Sequence, residues 1–402
     1  MLLNGWLHMA IAPFFFAKVP PIHFGTGQLQ QLPKLIQSLN GKTVLLVTGG
    51  KSLEASGQLA RIESLLQEAG LTPHRAIYAG EPTTPEIDRI CAEYRPHAIE
   101  VVVGIGGGSV IDAGKAISAM LPHTNSIFDH LEGVGKGIPH SGVKVPYIAI
   151  PTTSGTGGEV TKNAVISEVG PNGYKKSLRH DNLIPDAVII DGTLLTACPR
   201  PITAACGMDA FTQLLEPYLS PTATPLTDAI AWSGLEAIAD NLLLACGDGA
   251  ADPTVRESMA YAALLSGIAL ANAGLGIVHG LASPLGGFFP IPHGVVCGTL
   301  MAAAVRANWQ ALNQRQPMSP AIAKMARLGQ RLCREPGKSE AYYCDALVTI
   351  LDDWTEQLKL LRLSTYGVRS SDLDRILDQT QNRNNPIALT RNEIRTLVEN
   401  RL

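Results

Sequence analysis

The first half of the chain alternates short apolar runs with helical patterns, and this alternation limits the fold more than any other feature. Strands are predicted at residues 42–48, 74–78, 100–105 and 145–151, with helices at 57–69, 86–94 and 112–120. Strands joined by helices are typical of a parallel sheet whose faces the helices cover. We therefore predict an α/β domain with a parallel, Rossmann-like sheet, which binds its ligands at the carboxyl ends of the strands.

The second half has a different pattern, because long helical periodicities replace the strands after Pro199. Helices are predicted at residues 228–244, 253–273, 294–312, 320–334, 340–360 and 391–401. The change near Leu195 to Pro201 predicts an α/β domain at residues 1–197 and an all-helical domain at residues 198–402. Strands at 163–167 and 187–191 are further predicted to flank a turn at Pro171-Asn172-Gly173.

Composition excludes several classes of partner. The formal net charge of −3 shows no basic excess, which argues against nucleic acid. No apolar run approaches the roughly 20 residues that cross a bilayer, so no membrane partner is expected. The apolar N-terminus lacks a basic segment, which predicts a first strand with a loose lead-in rather than a signal peptide. The seven scattered cysteines form no CxxC pair, as expected for free thiols in the cytoplasm.

Two loops rich in glycine and hydroxyl groups follow predicted strands. The first, GIGGGSVIDAGK, carries three consecutive glycines before a helix, and the second is PTTSGTGGE at residues 151–159. Glycines let backbone N–H groups approach a phosphate, and the start of a helix adds partial positive charge. We predict that the two loops line one nucleotide cleft, so that the α/β domain binds a dinucleotide. Ordinary tight turns are the alternative.

The end of the strand at 42–48 bears on the choice between NAD and NADP. NAD-specific sites often place an acidic residue beside the adenosine ribose. Gly49, Gly50, Lys51 and Ser52 contain no acid here, and Lys51 and Ser52 are suited to a 2′-phosphate. NADP is therefore predicted to be accepted, with Gly49, Lys51 and Ser52 at the cofactor. Lys51 as an ordinary surface charge is the alternative.

His279 and His293 lie in a stretch from Gly274 to Gly298 that has almost no charge. Buried imidazoles need partners, and two neutral histidines with a carboxylate suit a divalent transition metal. Asp209 is the candidate carboxylate, and Gln213 lies one turn later on the same helical face. Helix-end histidines bonded to the backbone are the alternative.

Four segments in this order, GIGGGSVIDAGKA, IPTTSGTGGEVT, GMDAFTQLLEPY and GLGIVHGLASPLGGFFPIPHG, resemble the iron-containing (group III) alcohol dehydrogenase family. This family shares its fold with glycerol dehydrogenase and dehydroquinate synthase, and the resemblance runs from about Phe15 to the C-terminus. It implies a dinucleotide domain, a helical domain and a metal and substrate cleft between them. It also implies NAD(P)-dependent interconversion of an alcohol with an aldehyde or ketone.

The resemblance implies a catalytic metal, Fe(II) or Zn(II), held by Asp209, His279 and His293. Gln213 stands where the family has a histidine ligand, and Ser283 stands where many members have another histidine. Gln213 is expected to be a weaker ligand because its carbonyl oxygen is neutral. For the cofactor, NADP or NAD, the resemblance adds a set of residues in the two loops and after the turn: Gly107, Gly108, Ser109, Asp112, Thr152, Thr153, Thr156 and Lys176.

Three other functions are weighed against this one. A dehydroquinate-synthase-like or maleylacetate-reductase-like enzyme needs cations around its carboxylated substrate, and none is evident around His279. A nucleotide-binding protein with a degenerate metal site is kept open by Gln213. The uncharged surroundings of the histidines favour a small, mostly neutral alcohol or aldehyde as substrate. A homo-oligomer, most simply a dimer, is expected as in related proteins, with residues 1–13 ordered at the subunit contact.

Overall fold

The structure, a computed structural model, describes residues 11–402. Six parallel strands form the main sheet in the order β1-β8-β5-β4-β2-β3, and β6 and β7 form a separate antiparallel hairpin. The eight strands are β1 (Ile22–Phe24), β2 (Thr43–Thr48), β3 (Thr72–Ile77), β4 (Val101–Gly106), β5 (Tyr147–Pro151), β6 (Asn163–Glu168), β7 (Tyr174–Arg179) and β8 (Ala187–Ile190). The predicted lead-in belongs partly to residues 1–10, outside the described part, and the first strand begins at Ile22.

Five helices accompany this sheet, and they are α1 (Leu32–Ser38), α2 (Ser52–Ala55), α3 (Gln58–Glu68), α4 (Thr84–Tyr94) and α5 (Gly108–Met120). The central strand β4 is buried on both faces: Val102 packs into one hydrophobic cluster, and Val101 and Val103 pack into another. Successive side chains of a strand point to opposite faces, so a doubly covered strand is apolar throughout. This confirms the predicted α/β fold with a parallel sheet.

After β8 the chain forms helices and no further strand. They are α6 (Arg200–Leu219), α7 (Pro225–Ala245), α8 (Pro253–Ala273), α9 (Ile277–Phe288), α10 (His293–Arg315), α11 (Pro320–Cys333), α12 (Glu340–Gln357), α13 (Leu373–Gln379) and α14 (Arg391–Glu399). Proline occupies the first position of α7, α8 and α11, where its missing N–H has no helical partner to lose. Helix α6 is buried along most of its length against α7, α8 and α10. The predicted all-helical second half is confirmed.

The predicted pairing around the turn at residues 171–173 is wrong in its second strand. The hairpin joins β6 to β7, whereas residues 187–190 form β8 inside the main sheet, between β1 and β5. Strand β7, with the sequence YKKSLR, buries only Leu178 fully, so it lacks the apolar pattern by which strands are recognised. Strand β8 is buried at every position and belongs in the doubly covered sheet.

Two further features concern the described residues as a whole. No single helix there is long and apolar enough to cross a bilayer; helices α8 and α9 reach that length and composition only as a pair, bent by 101°. All seven cysteines are free thiols, as predicted, and Cys91, Cys246, Cys297 and Cys344 are buried.

Candidate functional site

Three loops meet at one edge of the sheet, because they follow the adjacent strands β2, β4 and β5. The Thr152 N–H donates to the Gly106 carbonyl oxygen at 2.8 Å and holds the loops after β4 and β5 together. Helix α5 begins at Gly108 directly after β4, and its first turn contains no acidic side chain. Its free N–H groups and the positive end of its dipole therefore face this edge and suit an anion such as a phosphate.

Glycines allow these loops to touch. A Cβ on Gly107 would lie 3.3 Å from the Thr153 methyl carbon, and a Cβ on Gly108 would lie 2.8 Å from that of Thr156. The second distance is shorter than real Cβ contacts, so a side chain at 108 would push the loops apart. Gly157 adopts a left-handed conformation, with φ of 60°, and its Cα packs directly on the backbone of Gly267 in α8. The loop at residues 151–159, called the threonine loop from here on, therefore packs against the glycine-rich loop after β4 and against helix α8 of the second half of the chain.

Two cavities border the loops and share Gly108 and Ser109. The loop cavity, of about 350 Å³, is lined by seven of the predicted cofactor residues: Gly49, Ser52, Gly107, Gly108, Ser109, Thr152 and Thr153. The central cavity, of about 250 Å³, is lined by Gly108, Ser109, Asp112, Thr156, Gln213, His279, Ser283 and His293, among others. One continuous lining thus runs from the loops to the two histidines.

Two of the predicted cofactor residues lie outside both cavities. Lys51 is exposed at the start of α2 and lines neither of them. Lys176 lines a third, more open cavity of about 990 Å³. Its neighbour Lys175 lines both this cavity and the central one, beside His279.

Lys175 corrects the expectation that no cation lies near His279. The lysine comes from β7, the strand that the sequence pattern missed, and its ammonium group lies 3.0 Å from a carboxylate oxygen of Glu81. Glu81 also lines the central cavity, so the positive charge has a partner within the same lining. The wall of the central cavity therefore contains the ion pair of Lys175 and Glu81 rather than an isolated cation.

Asp209, His279, His293 and Cys297 converge beside the central cavity, and their ligand atoms all lie within 4.8 Å of one another. Asp209 Oδ1 lies 3.5 Å from His279 Nε2 and 3.6 Å from His293 Nε2. It is buried and has no hydrogen-bond partner. A buried carboxylate oxygen without a partner is costly, and a cation between these atoms would satisfy it. Asp209, His279, His293 and Cys297, called the ligand cluster from here on, therefore fit a divalent metal.

Glu216 orients His279 from behind. One carboxylate oxygen lies 2.7 Å from His279 Nδ1, and the other accepts from the Val278 N–H at 2.7 Å. A proton on Nδ1 bonded to this carboxylate leaves the Nε2 lone pair pointing into the ligand cluster. A histidine that binds a metal through one ring nitrogen usually bonds to a carboxylate or another acceptor through the other.

Burial and neighbouring charges shift the pKa values of Asp209, His279 and His293 in different directions. Burial lowers the pKa of His279, but the charges of Cys297 and Glu216 outweigh it and hold the pKa well above its usual value. Burial raises the pKa of Asp209, but His293 and His279 outweigh it and hold the pKa below its usual value. For His293 burial dominates and lowers the pKa, which keeps the imidazole neutral. Asp209 and His293 are thus in the forms that bind a metal, a carboxylate and a neutral imidazole, whereas His279 releases a proton when a metal binds.

Gln213 lies on α6 one turn after Asp209, is buried and lines the central cavity. Its amide nitrogen donates to the Gly155 carbonyl oxygen at 3.1 Å and lies 3.3 Å from the Ser266 hydroxyl. These contacts tie the amide to the threonine loop and to α8. Only the amide oxygen is left to meet a ligand.

Three residues at or near the candidate site were not predicted from the sequence. Cys297 lies four residues after His293 and Glu216 lies seven after Asp209, so each shares a helical face with a predicted ligand. Lys115, buried in α5, donates to the carbonyl oxygens of Gly158, Thr161 and Asn163, at 2.7, 2.7 and 2.9 Å. Helical spacing was the available signal for all three, since Lys115 lies three residues after Asp112.

Comparison with known proteins agrees with this geometry. Residues 20–192 match the family described as iron-containing alcohol dehydrogenase, and residues 203–402 match the C-terminal domain of the same family. The NADPH-dependent butanol dehydrogenase of Clostridium saccharobutylicum is 30% identical over 394 residues, covering 94% of this chain and 95% of the relative. Alcohol dehydrogenase 4 of Saccharomyces cerevisiae (strain YJM789) is 36% identical over 296 residues, covering 73% and 75%. A solved 1,3-propanediol oxidoreductase superposes with a TM-score of 0.85 at 29% identity, covering 97% of this chain and 100% of that one. The chain belongs to the iron-containing alcohol dehydrogenase family.

Proposed function

We propose that this enzyme transfers a hydride between NAD(P) and the carbonyl carbon of a small, mostly neutral aldehyde, and the reverse with the alcohol. The observation that carries the proposal is the central cavity, whose lining joins Gly108 and Thr156 of the nucleotide loops to His279 and His293. A dinucleotide that enters along the loops therefore ends beside the ligand cluster. The substrate then lies between the two, in a space of about 250 Å³.

The nucleotide is proposed to span the two cavities. The N-terminus of α5 receives the pyrophosphate, because Gly108 and Ser109 belong to both linings. The loop cavity holds the adenosine, with apolar contacts from Leu53, Leu194 and Ile202. Asp112 and Thr156 then lie towards the nicotinamide end.

NADP is proposed as an accepted cofactor. Gly49 and Ser52 line the loop cavity, and no acidic side chain stands between them to repel a 2′-phosphate. Lys51 is exposed directly beside this cavity wall and is free to approach the phosphate once it is bound. The name of the butanol dehydrogenase relative, which is NADPH-dependent, points in the same direction.

Asp209, His279 and His293 are proposed to hold a catalytic Fe(II) or Zn(II), beside which Gln213 contributes at most a neutral oxygen. Such a metal supplies Lewis acidity to the substrate oxygen, and the nicotinamide supplies or accepts the hydride. The chain itself contributes orientation: Glu216 holds His279, and Leu270 and Leu275 exclude water from the cavity wall. The Ser283 hydroxyl, which lines both the central cavity and the open third one, is placed to pass the substrate proton outwards.

A homodimer in the cytoplasm is proposed as the working form. Phe14 and Phe15 are 46% and 83% exposed just before β1, which is an edge strand of the main sheet. Exposed aromatic side chains and an edge strand both favour association with a second copy. Seven free thiols are compatible with a reducing compartment. Analytical ultracentrifugation checks the dimer, which a monomer at micromolar concentration would contradict.

The first test measures bound metal together with NADPH and NADH oxidation on short, uncharged aldehydes. We expect about one metal ion per chain, loss of turnover on chelation and recovery when Fe(II) or Zn(II) is returned. His293→Ala should abolish turnover, whereas His97→Ala, at an exposed position of the α/β half, should leave it unchanged. Turnover that persists after proven metal removal would contradict the mechanism. Absence of both metal and turnover, even after metal addition, would favour the nucleotide-binding alternative.

A further inference from the structure

Cys297 contacts both metal-binding histidines. Its sulfur lies 3.6 Å from His279 Nε2 and 3.7 Å from His293 Nε2. The residue lies one turn after His293 on α10, so the same helical face presents the imidazole and the thiol. The thiol therefore occupies a corner of the ligand cluster.

Four of the distances within the ligand cluster are close to the edges of a tetrahedral metal site. In a tetrahedral site, metal bonds of about 2.0–2.1 Å place neighbouring nitrogen and oxygen ligand atoms about 3.3–3.4 Å apart, and a metal–sulfur bond of about 2.3 Å places the sulfur about 3.5–3.6 Å from them. The two Asp209–histidine distances are 3.5 and 3.6 Å, and the two Cys297–histidine distances are 3.6 and 3.7 Å. All four edges thus exceed the ideal values by only a few tenths of an ångström.

Hydrogen bonding alone does not account for this arrangement. A thiol has one proton and donates to only one of the two nitrogens that face it. Asp209 Oδ1, buried in the same cluster, has no hydrogen-bond partner at all. A single cation satisfies the carboxylate oxygen, both imidazoles and the sulfur together.

Gln213 is engaged elsewhere, because its amide nitrogen is bonded to Gly155 and lies against Ser266. One turn after Asp209, helix α6 therefore offers only a neutral amide oxygen. Cys297 offers a sulfur from a different helix, which becomes a thiolate when a metal binds, and thiolates bind zinc in preference to hard oxygen-seeking ions.

We infer that the Cys297 thiolate is the fourth protein ligand of the catalytic metal and that it directs the site towards zinc. When the metal binds, the sulfur–metal bond forms, the S–H bond breaks and the proton passes to solvent. The inference rests on the proposed function, because it concerns the metal that the function requires.

The test uses the full-length protein loaded with Co(II) in place of the native metal. Co(II) bound by nitrogen and oxygen shows visible d–d absorption, and a thiolate ligand adds a sulfur-to-cobalt charge-transfer band in the near ultraviolet. We expect both features in the unaltered protein. Cys297→Ser should keep the d–d bands, lose the charge-transfer band and bind zinc at least tenfold more weakly.

Cys344→Ser is the matched control, since Cys344 is also a buried free thiol of the helical half but contacts the Ile322 carbonyl instead. It should retain the charge-transfer band. Visible bands without charge transfer in the unaltered protein would overturn the thiolate ligand and leave the proposed function standing. No cobalt spectrum at all would instead contradict the metal site. Because the unaltered protein decides the sulfur ligand by itself, a Cys297→Ser chain that fails to fold does not weaken the test.

Zinc preference is tested separately by loading the demetallated protein anaerobically with equal amounts of Zn(II) and Fe(II). We expect zinc to exceed iron at least tenfold in the unaltered protein, and the ratio to fall in Cys297→Ser. An excess of iron in the unaltered protein would overturn this part of the inference.

Discussion

Glu216 determines which nitrogen of His279 faces the ligand cluster. It lies two helical turns after Asp209 on α6 and binds both the His279 ring and the Val278 N–H. A carboxylate on Nδ1 raises the basicity of Nε2 and fixes the ring, which is how outer partners tune a metal ligand.

Glu216→Gln is expected to lower metal affinity by about 10- to 100-fold, because a neutral amide orients the imidazole without raising its basicity. Competition with a chelating dye measures the affinity. Glu236→Gln, on the exposed face of α7, is the control and should leave the affinity unchanged. Equal affinities for Glu216→Gln and the unaltered protein would contradict an orienting role.

His140 is a second residue whose surroundings predict a measurable effect. It is 5% exposed, it lies 3.2 Å from the Ala119 carbonyl oxygen through Nε2, and its Nδ1 accepts from Gly142 N–H. Burial lowers its pKa to about 4. The rings of His123, His130 and His180 face it at centroid distances of 4.8, 5.4 and 6.1 Å, and their positive charges oppose its protonation.

The unfolded chain, in which a histidine has a pKa of about 6.5, therefore binds more protons than the folded one at mildly acidic pH. The stability that His140 contributes is complete above about pH 6.5 and falls as the pH drops towards about 4, by at most about 1.4 kcal/mol per pH unit. Urea unfolding of the unaltered protein and of His140→Gln measures this. The difference in unfolding free energy between them should shrink on acidification. A constant difference for His140→Gln would contradict the prediction.

The uncharged stretch around the histidines, the helical spacing of Asp209 and Gln213, and the family resemblance together predicted Asp209, Gln213, His279 and His293 as one group. The structure brings Asp209 and both histidines together. Cys297 and Glu216 were missed although they follow the same spacing, because cysteine and glutamate are common inside and at the ends of ordinary helices. Their roles depend on partners brought by other helices. A single-chain pattern contains no information on those contacts.

At the scale of elements, Lys115 joins α5 to the start of the hairpin. Its buried ammonium group donates to the carbonyl oxygen of Gly158, at the end of the threonine loop, and to those of Thr161 and Asn163, which follow the loop. Burial lowers the pKa of Lys115, while Asp112 and Glu159 oppose this effect. The lysine therefore fixes the distance between the glycine loop and the threonine loop.

Lys115→Met should destabilise the protein by at least about 3 kcal/mol, because three buried carbonyl oxygens lose their donor at about 1–3 kcal/mol each. It should also raise the KM for the nicotinamide cofactor more than it lowers kcat, since the two loops drift apart. Chemical unfolding and steady-state kinetics measure the two effects. Lys162→Met, which removes only a pair with exposed Asp181, should cost less than about 1 kcal/mol. A similar small loss in both variants would contradict the bridging role.

The bounds of helices and strands with a clear hydrophobic periodicity were predicted to within a few residues. Elements without such a periodicity were not predicted. Helix α8 (Pro253–Ala273) coincides with its predicted range, since a proline starts it and a glycine follows it. Helix α9 was not predicted as a helix, because Gly280, Pro284 and Gly286 interrupt its sequence. Tertiary packing rather than propensity forms α9, and it carries His279.

At the scale of the whole molecule, the proposed metal site and the proposed nucleotide site lie mainly in different halves of the chain. The ligand cluster belongs entirely to α6, α9 and α10, whereas the lining of the loop cavity comes mainly from the loops after β2, β4 and β5. A ligand that binds only the folded state stabilises the part that holds it.

Hydrogen exchange should therefore separate the two effects. Zinc added to demetallated protein is expected to slow exchange in α6, α9 and α10, and NADPH to slow exchange around residues 49–56, 106–110 and 152–158. Each ligand alone should give its own pattern, and both together should slow exchange throughout the central cavity. A zinc effect confined to the sheet, or a nucleotide effect confined to the helices, would contradict this division.

The order of strands in the main sheet has a consequence for synthesis on the ribosome. Within the described residues, strand β1 (Ile22–Phe24) pairs with β8 (Ala187–Ile190) alone, and Ile22 faces Val188, so its partner is made about 166 residues later. At roughly 5–20 residues per second, this interval lasts about 8–33 s. During that time the nascent chain carries an unpaired edge strand next to exposed phenylalanines, which is the kind of surface that chaperones bind. Strand β1 is thus made long before its partner and is among the last strands of the main sheet to pair.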